Sequence, residues 1–248
     1  MNIIINGANG RMGRIVSQAI EEGGAHSVAA RVDWSYAAGD GLSELKQYQG
    51  PADIVIDFSN HAATASVAEY CAGRGLPVVI GTTGQTDEER AQIEALSKEV
   101  PVFLSGNMSL GIALLANMAR QAAAMFPNAD IEIVERHHNQ KLDVPSGTAL
   151  LLADRVREAR PEATFVVGRH ENGKRERNEI GIHSLRYGGE VGTHEVIIAA
   201  GSETITLKHE AEDRGLFAQG ALAAAAFLIG REPGLYDMRS IIEGGDRA

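Results

Sequence analysis

The sequence predicts an α/β fold, with a Rossmann-type parallel sheet domain and a second, α+β domain that holds a mixed sheet. Three observations lead to the sheet layout. The first hundred or so residues alternate short apolar runs with amphipathic helical segments. A glycine turn, "GANGRMG", joins the first apolar run to the first helix. After Asn107 the texture changes to long helices and a series of alternating strands. Strands separated by helices imply a parallel sheet whose ligands gather at the carboxyl ends of the strands.

Taken in order, "NIIIN" reads as a buried strand, "RIVSQAIEE" as a helix stopped by Gly23-Gly24, and "HSVAARVD" as a second strand. "ADIVIDFS" and "LPVVIGTTG" read as the third and fourth strands, with the helical "AATASVAEYCAGRG" between them. "DEERAQIEALSKE" follows as an amphipathic helix and "VPVFLSGN" as a fifth strand. An alanine-rich helix then runs from Leu110 to Phe126, followed by the strand "ADIEIVERH" and a helix from Thr148 to Arg160. Alternating apolar residues and glycine turns up to Arg214 read as an antiparallel or mixed sheet, and "GLFAQGALAAAAFLIGREPGLYDM" returns to helix. The charge-dense stretch Arg169 to Glu179 reads as a solvated loop, with a flap over a bound ligand as the sharper alternative. No internal repeat or low-complexity linker interrupts the chain.

With 248 residues, 44% of them hydrophobic, the chain is long enough for one large or two modest domains. Its net charge of −10 argues against nucleic acid as the main partner, since phosphate binding needs a basic surface. Cys71 is the only cysteine, which excludes an internal disulfide and a thiolate zinc site and fits a cytoplasmic protein. "MNIII" lacks the basic start and longer apolar core of a signal peptide, and "ALAAAAFLIG" is too short to span a bilayer. The expectation is a protein with no membrane partner and no metal.

Gly7, Gly10 and Gly13 follow a strand and open a helix, where missing side chains let backbone N–H groups approach a pyrophosphate. The spacing is GxxGxxG, looser than the GxGxxG fingerprint, and glycine turns also serve only to pack helix on strand. Asp33 ends the second strand, where a carboxylate accepts hydrogen bonds from an adenosine ribose. That carboxylate would repel the 2′-phosphate of NADPH, and Trp34 follows it where a basic residue would help, so NADH should serve at least as well as NADPH. Arg11 in the turn works in the opposite direction. "GTTG" at Gly81 to Gly84 and "SGNMS" at Ser105 to Ser109 each follow a strand. They suit contact with a nicotinamide, or are ordinary strand-end turns.

The densest polar stretch is "ERHHNQKLDVPSGTAL", Glu135 to Leu150. Strand alternation sends His137 and His138 to opposite faces, so each needs its own assignment. Histidine supplies or relays a proton near neutrality, and lysine adds a fixed charge or a stronger donor. A structural turn with satisfied imidazoles is the plainer alternative. Pro145 and Ser146 precede a helix, so the N–H groups of Gly147 and Thr148, with two hydroxyls, form a local anion site. Capping alone explains Ser146, but it does not explain Lys141 and two histidines just before it.

Together these stretches resemble the 4-hydroxy-tetrahydrodipicolinate reductases, also called dihydrodipicolinate reductases, of lysine and diaminopimelate biosynthesis. "GANGRMG", "DIVIDFS", "PVVIGTTG", "GNMSLG", "ERHHNQKLDVPSGTAL", "GGEVGTHEV" and "GLYDM" occur in the family's order, and the HHxxKxDxPSGTA run is highly specific to it. The resemblance implies that NADH or NADPH reduces a cyclic, unsaturated dicarboxylate. His137 would be the acid/base residue and Lys141 a proton donor. His138, Ser146, Gly147, Thr148 and Arg214 would bind substrate. Gly7, Ala8, Asn9, Gly10, Arg11, Met12, Asp33, Gly81, Thr82, Thr83, Ser105, Gly106, Asn107 and Met108 would line the cofactor site. It further implies a dinucleotide-binding domain of residues 1–108 and 215–248, a substrate-binding and tetramerisation domain of residues 109–214, and a homotetramer. Ala113, Gln85 and the acidic "HEAEDR" depart from the usual family pattern. Two other readings stand beside this one: a catalytically idle nucleotide sensor or scaffold on the same fold, and an oxidoreductase acting on a different cyclic imine.

Overall fold

The computed structural model describes residues 1–37 and 39–244. In chain order the elements are β1 (Asn2–Asn6), α1 (Arg11–Gly23), β2 (Ser27–Val32), β3 (Ile54–Asp57), α2 (Thr64–Arg74), β4 (Val78–Ile80), α3 (Asp87–Leu96), β5 (Pro101–Leu104), α4 (Leu110–Met125) and β6 (Asp130–His137). Then follow α5 (Gly147–Ala159), β7 (Thr164–Val167), β8 (Glu179–Arg186), β9 (Gly192–Ala200), β10 (Glu203–Ala211), α6 (Gly215–Leu228), β11 (Gly234–Tyr236) and α7 (Met238–Ile242). The chain divides into two compact units, Met1–Ser109 with the segment from Arg214 onward, and Leu110–Asp213. Ser109 and Arg214 thus fall in the first unit, each one residue from the expected boundary.

The first unit is built on six parallel strands in the order β11-β5-β4-β3-β1-β2. Its inner strands are short and mainly apolar because helices cover both faces, with Asn6 and Asp57 as the polar residues at the carboxyl ends of β1 and β3. Ile3, Ile4, Ile5, Ile54, Val55, Ile56, Val78 and Val79 are fully buried. Val67, Tyr70 and Cys71 of α2 and Ile93 and Leu96 of α3 join Ile4, Val55, Val78 and Val102 in one apolar cluster. α1 and α6 pack on each other and on the sheet. The run "ALAAAAFLIG" therefore belongs, up to Leu228, to a core helix in which Ala218, Ala221, Ala224, Ala225 and Leu228 are wholly buried. Its small residues permit close approach, for a Cβ at Gly220 would collide with the Met108 carbonyl oxygen. Among the described residues no helix is long and apolar enough to cross a membrane.

One element corrects the sequence reading. Gly234–Tyr236, read as part of a terminal helical segment, is the edge strand β11, paired in parallel with Pro101, Val102 and Phe103 of β5. Three residues are too few for a periodic pattern to declare itself.

The second unit holds a mixed sheet in the order β10-β9-β6-β8-β7. β9 runs antiparallel to β10 and β6, whereas β6, β8 and β7 are mutually parallel. Strict alternation along β6 buries Ile131, Ile133, Glu135 and His137. Ile131 and Ile133 meet Leu115, Ala119 and Ala123 of α4 and Leu152 and Val156 of α5 in a single core. The loop from Arg169 is laced to these strands: Arg169 pairs with Glu179, and Arg175 with Asp130, Glu132 and Glu179.

Candidate active site

In the first unit the carboxyl ends of β1 to β5 carry the glycine turn, Asp33, Asp57, "GTTG" and "SGNMS" along one edge. Gly7 has φ +79°, and a Cβ there would strike the Phe58 backbone, so only glycine lets β1 turn this close to β3. A Cβ at Gly13 would collide with the Gly7 carbonyl and lie 2.6 Å from the Ala8 Cα. The turn thus closes on the start of α1.

The amides that the turn presents differ from the expectation. Those of Gly7 and Ala8 donate to the Val32 oxygen at 2.9 and 3.0 Å, and that of Gly10 to Gly7 at 3.1 Å. The Asn9 amide donates to the Asp33 carboxylate at 3.0 Å. What stays open to an anion is the first turn of α1, from Arg11 to Gly13: its N-cap, Gly10, offers no side-chain bond and the turn has no acidic residue. Early glycines shape the turn, and the helix start receives charge.

Asp33 is buried beside this turn. Burial alone would raise its pKa, but hydrogen bonds from Ser35 and from the backbone at Asn9 and Gly10 win and hold it below the usual carboxylate range. It borders a cavity of about 670 Å³ that also touches Gly7, Gly10, Trp34, Lys46, Phe58 and Tyr70. A second cavity of about 310 Å³ is lined by Arg11, Met12, Phe58, Gly81, Thr83, Gly106, Met108, Arg214 and Phe217. Seven of the sequence-selected residues, Arg11, Met12, Gly81, Thr83, Gly106, Met108 and Arg214, meet there. Phe58 and Phe217 are additions, since isolated aromatics look like ordinary core residues in a sequence. Arg214, expected near the substrate, sits at the start of α6 on the wall of this first-unit cavity.

Thr82 turns inward instead. Its hydroxyl donates to the buried Asp57 carboxylate at 2.6 Å, and Asn6 and Ser59 donate to the other oxygen at 2.7 and 2.6 Å. Asp57 thereby locks the ends of β1, β3 and β4 together. Gln85 folds back to donate to the Thr82 oxygen at 2.7 Å, so this departure from the family pattern braces the turn.

In the second unit, register assembles the polar cluster. Glu135 on β6 lies opposite His194 on β9 and Ser184 on β8, and His137 opposite Arg186. His137 Nδ1 is 2.5 Å from the Glu135 carboxylate, while Arg186 donates to both Glu135 oxygens at 2.8 and 2.7 Å. The His137 and His194 rings meet edge to face, with centroids 5.1 Å apart. His138 follows the strand and is half-buried, whereas His137 is buried.

The start of α5 modifies the expected anion site. Ser146 is buried, its hydroxyl accepts from the Ala149 amide at 3.2 Å, and its own amide donates to Glu135 at 3.1 Å. Its polar atoms are thus committed to capping and internal bonding, and the chain opens to space at Gly147, with nothing near where a Cβ would stand. Lys141 pairs with Asp143 at 2.7 Å. That hydrogen bond, aided by the Gly147 amide, holds Asp143 below the usual carboxylate range. An internal carboxylate thus already engages Lys141 and the helix start, the chemistry expected of a bound anion.

His194 gives a pH prediction. Burial, reinforced by the neighbouring His137, pushes its pKa down to about 3, and its Nδ1 has no hydrogen-bond partner. The unfolded chain, with an imidazole near 6.5, takes up this proton first. The site's contribution to stability is therefore intact above about pH 6.5 and is lost as pH falls toward 3. Urea titrations should show His194→Gln losing stability less steeply than the parent over that window; parallel curves would mean that His194 is not held neutral.

A hydride carrier's cradle on a parallel sheet, followed in the chain by a proton-handling cluster, defines an NAD(P)H-dependent oxidoreductase. Residues 1–108 match the family model described as dihydrodipicolinate reductase, N-terminus, and residues 111–242 match its C-terminal counterpart. The 4-hydroxy-tetrahydrodipicolinate reductase of Caldanaerobacter subterraneus subsp. tengcongensis is 46% identical, with 99% of both chains covered. That of Caulobacter vibrioides is 45% identical over 98% of this chain and 97% of its own. A dipicolinate-bound dihydrodipicolinate reductase from Paenisporosarcina sp. TG-14 has the same fold, with a TM-score of 0.78 at 26% identity, covering 96% of this chain and 97% of its own. The chain belongs to the dihydrodipicolinate reductase family.

Proposed function

We propose that the protein reduces 4-hydroxy-tetrahydrodipicolinate to tetrahydrodipicolinate, with loss of water, using NADH or NADPH. The observation that carries this reading is the placement, on the second unit, of a buried imidazole beside a helix start whose Gly147 amide already holds a carboxylate, that of Asp143. A cyclic dicarboxylate that must be both held and protonated needs both features. NAD(P)H supplies the hydride when bound, and the glycine cradle and the uncapped start of α1 fit its pyrophosphate.

In this reading the amides of Arg11 and Met12 meet the pyrophosphate, and Asp33, kept anionic by its hydrogen bonds, accepts from the ribose. Gly81, Thr83, Gly106 and Met108 border the nicotinamide, with Phe58 and Phe217 excluding water from it. His138, Gly147 and Thr148 hold the substrate carboxylates. Lys141, released from Asp143, donates the proton that accompanies the hydride, and His137 provides acid/base chemistry. Arg214 acts from the wall of the smaller cavity as an anion partner. A homotetrameric, cytoplasmic enzyme completes the proposal, and light scattering on the purified protein measures its assembly.

A coupled assay tests the reaction: aspartate semialdehyde, pyruvate, a dihydrodipicolinate synthase and this protein, followed by NAD(P)H absorbance. Absence of synthase-dependent oxidation would sink the reading. Within the same assay, kcat/KM for NADH is expected to equal or exceed that for NADPH, because Asp33 repels a 2′-phosphate. A strong preference for NADPH would instead assign the deciding charge to Arg11 or Lys46.

A further inference from the structure

Glu135 is fully buried. A carboxylate there is costly unless its lone pairs are used, and four donors meet it. One oxygen faces His137 Nδ1 and accepts from Arg186, while the other accepts from Arg186 and from the Ser146 amide. A buried ion pair of this kind rarely stabilises a fold more than apolar packing would. What it does fix is geometry.

Resting on the reading above, we infer that Glu135 is a positioning residue that sets the protonation geometry of His137 and aims the start of α5. One carboxylate thereby joins the proton-handling and anion-binding halves of the substrate site. An ionised carboxylate only accepts, so the His137 nitrogen facing it carries hydrogen, and Nε2 is left as the working nitrogen. Arg186 keeps Glu135 anionic and is itself anchored by a 2.7 Å bond to the Asp143 carbonyl. On the other side, a Cβ at position 192 would lie 2.8 Å from His137 Nε2, so glycine there keeps the Nε2 edge of the ring uncrowded. The second Glu135 oxygen holds the Ser146 amide, one residue before the N–H groups proposed to grip substrate. A shift of this carboxylate would misplace both functions at once.

The test begins with the unaltered enzyme labelled with ring-15N histidine, in which the His137 signals are identified by their loss in His137→Gln. Two-bond 15N–1H correlations are expected to show the neutral ring protonated on Nδ1. A neutral ring protonated on Nε2 overturns the proposal, whether or not any variant folds. In the coupled assay, Glu135→Gln with an unchanged circular dichroism spectrum should lower kcat about a hundredfold, within the range for general acid–base catalysis. Added to His137→Ala it should cost less than about twofold more, because it acts on kcat through that ring. Multiplying losses, or an unchanged kcat in Glu135→Gln, overturn it. Failure of the reaction reading looks different: the unaltered enzyme then shows no synthase-dependent oxidation at all.

Discussion

Replacing His137 or Lys141 with alanine is expected to lower kcat by about a hundredfold or more, the usual cost of losing a general acid or base. NADH affinity should stay near that of the parent. The glycine turn, Asp33 and both cofactor-side cavities belong to the first unit, whereas His137 and Lys141 belong to the second. Stopped-flow or steady-state rates in the synthase-coupled assay, together with a fluorescence titration of NADH, separate the two effects. Near-parental rates for both variants would remove these side chains from the mechanism. Lys141→Ala carries a further consequence: it frees the Asp143 carboxylate, whose low pKa depends first on that lysine. An anionic substrate should then meet an uncompensated negative charge, so KM should rise as kcat falls.

The second large effect is expected at Gly7. Alanine there must adopt φ near +79° and push its Cβ into the Phe58 carbonyl, whose carbon would lie 2.5 Å away. Backbone strain and overpacking each cost about 1–3 kcal/mol, so Gly7→Ala should destabilise the protein by roughly 2–6 kcal/mol. Cofactor affinity should fall with it, since the start of α1 is aimed by this turn. Gly23 is the matched control, because it sits in the last turn of the same helix with nothing within 4 Å of where a Cβ would stand and no positive φ. Gly23→Ala should be neutral or slightly stabilising. Equal denaturation midpoints for the two variants would contradict the described turn.

Much of this architecture was legible because two signals are local. Apolar runs such as "NIIIN" and "DIVID" announce strands covered on both faces, and glycines at 7, 10, 13, 24 and 75 mark a turn and helix ends. The histidine and lysine segment was legible as chemistry because its residue types exceed what a cap requires. Other features depend on pairing across the chain, which local pattern does not encode. Glu135 stands in the most conspicuous motif, yet its role rests on Arg186 and Ser146, which are 51 and 11 positions away. His194 becomes a buried neutral imidazole only because β9 places it opposite Glu135. Ser146 satisfied two readings, ligand and cap, and its burial favours the cap. The amides of Gly7 and Ala8 looked available until β2 supplied an acceptor for both.

The discontinuity of the first unit bears on how the protein is made. Its sheet needs β11, and its face needs the buried alanines of α6, yet both are translated after the whole of the Leu110–Asp213 unit. During synthesis the inserted unit, which is a single stretch of chain, has every residue it needs before the unit that precedes it does. Until α6 emerges from the ribosome, the part of the parallel sheet that it covers stays open. Although its first five strands are translated first, the nucleotide-binding unit is therefore the later of the two to have its full set of residues.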